Sequence, residues 1–142
     1  MRVLCDTNVV LDVLLNRRPY ALPASRLMVH VEHRRVEGFL GATTLTTIHY
    51  LATKAVGGVR ARKHVGTLLS LFDVAPVNRT VLSDALSLNF RDYEDAVLHE
   101  AARHAGVTGI VTRDPDGFEK AKLTIYDPAE LLRIVEALPS TQ

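Results

Sequence analysis

The sequence predicts an α/β fold, a small parallel sheet with helices on both faces. Three observations lead there. Five short, mostly apolar runs, at residues 2–5, 36–41, 73–77, 108–112 and 123–127, have the length and composition of buried parallel strands. Segments with helical spacing stand between most of them. The chain has 142 residues and a hydrophobic fraction of 47%, enough for one core, so one domain spanning 1–142 is expected.

The elements follow in order. RVLC (2–5) is a strand, followed at once by TNVVLDVLLNR (7–17), where Val9, Val10, Val13 and Leu14 form one helical stripe. Residues 21–35 read as a second helix with Leu27, Met28 and Val31 inward, leading to the strand at 36–41. The helix at 44–57 closes on Gly57 and Gly58, a left-handed stop. Residues 61–72 carry Val65, Leu68, Leu69 and Phe72 at helical spacing and run into the strand at 73–77. A helix at 80–88 and a short loop precede the helix at 92–106, which ends on Gly106. After the strands at 108–112 and 123–127, Pro128 opens a final helix at 128–138, at a position where proline is tolerated.

Composition narrows the function classes. A formal net charge of +1 gives no global basic field, although a local basic rim would still hold a nucleic acid. The single cysteine, Cys5, cannot form an intrachain disulfide, reads as a small core residue and fits a cytoplasmic location. Asp6, Asn8 and Asp12 interrupt the apolar N-terminus, which lacks a signal-peptide cleavage site. No stretch reaches the roughly 18 apolar residues of a membrane span. A glycine-rich phosphate loop is absent, and Asp6-Thr7-Asn8 lacks the second acid of a dehalogenase-type phosphatase.

Chemistry is carried by aspartates that the topology brings together. In an open parallel sheet, sites form beyond the carboxyl ends of the strands. Asp6 follows the first strand, and Asp114 follows the strand at 108–112. The helix at 92–106 leads into that same strand, so its first turn, with Asp92 and Asp95 three residues apart, lies at the same edge. Each acid also has a structural reading. Asp6 and Asp92 are good helix caps, Glu94 and Asp95 complement a helix dipole, and Asp114 and Asp116 sit in a turn-like RDPDG. Convergence of three segments favours a cluster. Two carboxylates at about 4 Å repel by roughly 4 kcal/mol at an effective dielectric of 20, so a cluster needs a compensating cation. Oxygen donors alone suit Mg²⁺ or Mn²⁺.

Three pieces, VLCDTNVVLDVLLNR, DYEDAVLHEAARHAG and IVTRDPDGF, in this order and spacing, resemble the PIN-domain family, in particular the VapC-type toxins of toxin–antitoxin pairs. The resemblance covers essentially the whole chain. It implies a PIN-like three-layer sandwich with strand order 3-2-1-4-5 and a metal-dependent ribonuclease activity. It implies that Asp6, Asp95 and Asp114 are catalytic metal ligands, with Asn8 and Thr112 supporting them. Two departures stand out. Thr47 occupies the place of a glutamate common on the third helix, and Gly117 that of an aspartate before Phe118. Asp92, Glu94 and Asp116 are the candidate replacements, and Thr47 itself a supporting hydroxyl.

The expected chemistry is hydrolysis of RNA phosphodiesters, with an antitoxin and a second copy of the chain as partners. The alternative is a PIN-like binding protein with a weakened site. Arg17, Arg18 and Arg113 are the candidate contacts to the RNA backbone, and Arg60, Arg62 and Lys63 form a second basic group. Few aromatics and no tryptophan argue against a platform for many bases. His30 and His33 lack a zinc pattern, and His49 points away from Thr47, whereas Tyr50 is expected nearer its face.

Overall fold

A computed structural model describes residues 1–139. Five parallel strands, β1 (Arg2–Cys5), β2 (Glu37–Gly41), β3 (Asp73–Ala75), β4 (Gly109–Val111) and β5 (Thr124–Tyr126), form one sheet in the order β3-β2-β1-β4-β5. Seven helices surround it: α1 (Thr7–Leu14), α2 (Ala21–Glu32), α3 (Ala42–Val56), α4 (Gly58–Leu71), α5 (Arg79–Leu86), α6 (Tyr93–His104) and α7 (Pro128–Ala137). A 3₁₀ turn, Pro115–Phe118, follows β4. This is the α/β sandwich and strand order that the sequence led one to expect.

The strands' twofold alternation builds two cores. From β1, Val3 and Cys5 face a cluster with Val9, Val10, Leu27, Val31, Ile48, Leu68 and Leu131 of α1, α2, α3, α4 and α7. Leu4 faces the other way, with Phe39 and Ile110, toward Val81, Ala96, Val97 and Leu98 of α5 and α6. Each such buried aliphatic side chain contributes about 1.5–3 kcal/mol. β1 lies between β2 and β4, with Leu4 in register with Phe39 and Ile110. Asp6 is therefore delivered at the middle of the sheet's C-terminal edge.

Several boundaries differ from the sequence reading. α1 stops at Leu14 because the chain turns through Asn16, whose φ is +49°. α2 stops at Glu32, ahead of Arg34 at φ +60°. Gly57 alone, at φ +87°, separates α3 from α4, and Gly58 already belongs to α4. Leu69 points outward, 53% exposed, because Ala61 and Leu68 take the inward positions of α4. Gly38 marks a close approach, since a Cβ there would lie 2.8 Å from the Phe72 ring. Among the described residues, no helix is long and apolar enough to cross a membrane.

Candidate metal centre

The site is built at the C-terminal edge of β1 and β4. Asp6 directly follows β1 and is buried. One carboxylate oxygen accepts the Thr7 N–H at 2.7 Å, which caps α1. The other accepts the Thr112 hydroxyl at 2.8 Å. Thr112, fully buried just after β4, also accepts the Asp114 N–H at 3.0 Å and the Asn8 amide at 3.4 Å. Its one donor and two lone pairs are all in use. The Asn8 carbonyl in turn accepts the Arg113 N–H at 3.3 Å. Asn8 and Thr112 thus hold the backbone that carries Asp114 against Asp6.

Asp95 arrives from α6. Asp92 caps this helix by accepting the Glu94 N–H at 2.8 Å, and Glu94 and Asp95 fill its electropositive first turn. Gly106, at φ +75°, closes the helix, with Val107 N–H donating to the Ala102 carbonyl and Gly106 N–H to that of Arg103. Burial pushes the Asp95 carboxyl up from its ordinary 3.8 to about 7, aided by the charges of Asp6, Asp92, Asp114 and Glu94. Asp6 is also raised, first by burial and then by Asp114 and Asp92, against the opposing hydrogen bonds from Thr112 and Thr7. Burial pushes the neighbouring Cys5 thiol up to about 12, which leaves it an unreactive core residue.

Gly117 lies in the middle of this cluster. A Cβ there would be 2.6 Å from Asp95 Oδ2 and 3.8 Å from Asp114 Oδ2. The position where an acid was expected is therefore beside the carboxylates. Asp116 is exposed, and its charge is not among those that raise Asp6 or Asp95. Its carbonyl accepts from Arg91 at 3.3 Å. Thr47 makes no side-chain hydrogen bond among the described residues. On α3 the side chain of Thr44 is buried, and its hydroxyl accepts from the Thr7 hydroxyl at 3.1 Å. Thr44 was missed because a threonine in an uncharged helical run carries no pattern of its own.

Two of the candidate arginines already face a carboxylate of the chain itself. Arg113 donates to both oxygens of the buried Asp12, at 2.5 and 3.0 Å, and its guanidinium lies 4.0 Å from the centre of the Tyr20 ring. Arg17 approaches the same Asp12 at 3.5 Å. Two of the three candidate RNA contacts are thus committed to one carboxylate, and Arg18 alone is exposed without an ion pair among the described residues. Arg60, Arg62 and Lys63 sit at the start of α4, beyond the far end of α3. Tyr50 is exposed and stands against Lys54 of its own helix. His30 is buried against Glu136 and Arg35, and His33 is exposed, so they share no ligand.

Among the described residues, the only three metal-ligating side chains with ligand atoms within 4.8 Å of one another are elsewhere: Asp84, Glu100 and His104. The Arg103 Nη2 already occupies that place, 2.9 Å from Glu100, 3.4 Å from Asp84 and 3.3 Å from His104. The central cluster is different. None of Asp6, Asp92, Asp95 and Asp114 is in an ion pair among the described residues. Oxygen donors that repel one another and lack a counter-charge fit a hard divalent cation that keeps some of its waters.

Stability should report this. Because the folded Asp95 holds a proton that the unfolded chain releases near 3.8, the metal-free protein loses stability as pH rises from about 4 to about 7. Mn²⁺ should therefore raise Tm more at pH 8 than at pH 5 in thermal unfolding. An equal rise at both pH values would speak against binding at the cluster.

A family model described as PIN domain matches residues 2–116. The chain belongs to the PIN domain family. No curated protein matches the sequence. Solved structures share the PIN fold at low identity. A toxin–antitoxin complex from Klebsiella pneumoniae is 19% identical with a TM-score of 0.69, covering 90% of this chain and 98% of that one. The sarcin-ricin loop cleaving toxin VapC20 of Mycobacterium tuberculosis is 16% identical with a TM-score of 0.69, covering 86% and 96%. FitAcB of Neisseria gonorrhoeae is 18% identical with a TM-score of 0.67, covering 89% and 97%. The matched PIN region includes Asp6, Asp95 and Asp114.

Proposed function

We propose that this PIN domain is a divalent-metal-dependent endoribonuclease, acting in the cytoplasm as the toxin of a toxin–antitoxin pair. The observation that carries the reading is the set of carboxylates from three elements at one sheet edge, with Asp95 forced up to about 7 by burial and its neighbours. Asp6, Asp95 and Asp114 would hold Mg²⁺ or Mn²⁺. A bound cation would lower the pKa of a coordinated water and act as a Lewis acid for the departing oxygen. The chain's own part is to orient. Thr112 fixes one Asp6 oxygen and the Asp114 backbone, and Asn8 fixes the segment between them. Asp92 and Glu94 add negative charge that favours the cation over a proton.

Similarity to a toxin–antitoxin complex and to an RNA-cleaving toxin supports RNA as the substrate and an antitoxin as the partner. A homodimer fits the same setting. A second reading, a binding protein with a weakened site, is favoured by Thr47 and Gly117 standing where acids were expected. The two separate in one assay: single-stranded RNA with purified protein and Mg²⁺, Mn²⁺ or a chelator. Cleavage in either metal that the chelator stops is the expected result. Intact RNA in both metals would leave the binding reading.

A further inference from the structure

We infer that Tyr20 forms a nucleobase-stacking subsite on the rim of the carboxylate cluster, held rigid from beneath by Arg113 and Asp12. This rests on RNA being the substrate and deepens that reading. The construction runs from the core outward. Asp12 is a carboxylate 1% exposed on α1, and burying it demands strong compensation. Arg113 supplies this through two parallel hydrogen bonds, a geometry that also locks the plane of the guanidinium. The locked plane lies under the Tyr20 ring at 4.0 Å. Tyr20 itself is 43% exposed, and its hydroxyl makes no hydrogen bond among the described residues.

An exposed aromatic ring backed by a fixed cation is pre-organised to take a second flat partner. Its location suits a nucleotide. Arg113 immediately precedes Asp114, and its backbone N–H is tied to Asn8, beside Asp6. Arg17 and Arg113 share the single charge of Asp12, and Arg18, two residues before Tyr20, is exposed. The rim therefore carries excess positive charge beside an anionic cluster, as a polyanion crossing the site requires. The other exposed tyrosines lack this arrangement: Tyr50 stands against Lys54 of its own helix, and Tyr93 spends its hydroxyl on the Leu82 carbonyl.

The test separates base from backbone. Binding of a fluorescent single-stranded oligoribonucleotide is compared with binding of an abasic ribose-phosphate oligomer of equal length, in chelator so that nothing is cut. Tyr20→Ala should weaken binding of the RNA about five- to a hundredfold, the range of one base stack, and leave the abasic oligomer unchanged. Tyr20→Phe should behave as wild type. Tyr20→Leu, which keeps an apolar cover on Arg113, should lose RNA affinity as the alanine variant does. Arg18→Ala should weaken both ligands. Equal loss on both ligands for Tyr20→Ala, or no loss on either, overturns the subsite. Absence of cleavage in Mg²⁺ and Mn²⁺ with the base-dependent effect intact would sink the nuclease reading alone.

Discussion

Replacing Asp95 with asparagine is expected to lower metal-dependent RNA cleavage by about a thousandfold and, in the same protein, to raise Tm at pH 8 in chelator. The two effects have one cause. Asp95 faces Asp6, Asp92, Asp114 and Glu94, and it is partly buried, so its negative charge is costly until a cation answers it. The asparagine keeps the shape, removes the charge and so removes both the repulsion and a metal ligand. The stability gain should vanish at pH 5, where the native carboxyl is already protonated. Asp6→Asn should abolish cleavage equally, with less gain in stability, because the Asp6 carboxylate also accepts from Thr7 and Thr112. A variant Asp95→Asn that cleaves at more than a tenth of the wild-type rate would remove Asp95 from the metal's ligands.

The positions of these acids were legible because topology alone dictates them. An aspartate that ends the central strand, one just past its neighbour and one in the first turn of the helix feeding that neighbour have nowhere else to go. The departure at Gly117 was legible too, and the structure sharpens it: this glycine lies against the Asp95 carboxylate, whereas the Asp116 charge is not among those that raise Asp95. What sequence could not show was the partner of each arginine. Asp12 looks like a residue of the polar face of α1, yet it is 1% exposed and captures Arg113 from a segment a hundred residues later. Charge pairs between distant segments leave no periodicity behind. The same holds for His99, which looks like one more polar residue of α6 but is wholly buried.

Glu100→Ala should destabilise the fold by about 3 kcal/mol in urea unfolding, the low end for breaking a buried charged network. His99 Nε2 accepts the Lys122 N–H at 3.0 Å, so its Nδ1 carries the proton and donates to Glu100 at 2.8 Å. Without Glu100 that donor stays buried with no acceptor. Arg103, which gives Glu100 bonds at 3.1 and 2.9 Å, suffers less, since 47% of its side chain meets solvent. This places the cost at the low end. Glu100→Gln keeps an acceptor for His99 and should lose only about 1 kcal/mol. Burial opposes the Glu100 charge, but the hydrogen bonds from Arg103 and His99 prevail and hold its carboxyl below the ordinary 4.5. The stability from this depressed value is present above pH 4.5 and is lost as pH falls through the folded pKa, so wild type and Glu100→Gln should converge in acid. The network ties the C-terminal half of α6 to α5 through Asp84 and to the segment before β5 through Lys122. Asp95 stands at the other end of the same helix. At temperatures where the alanine variant remains folded, its cleavage rate per folded molecule should match wild type. A fall in that rate would mean that the buried network sets the position of Asp95 as well as the stability of the helix that carries it.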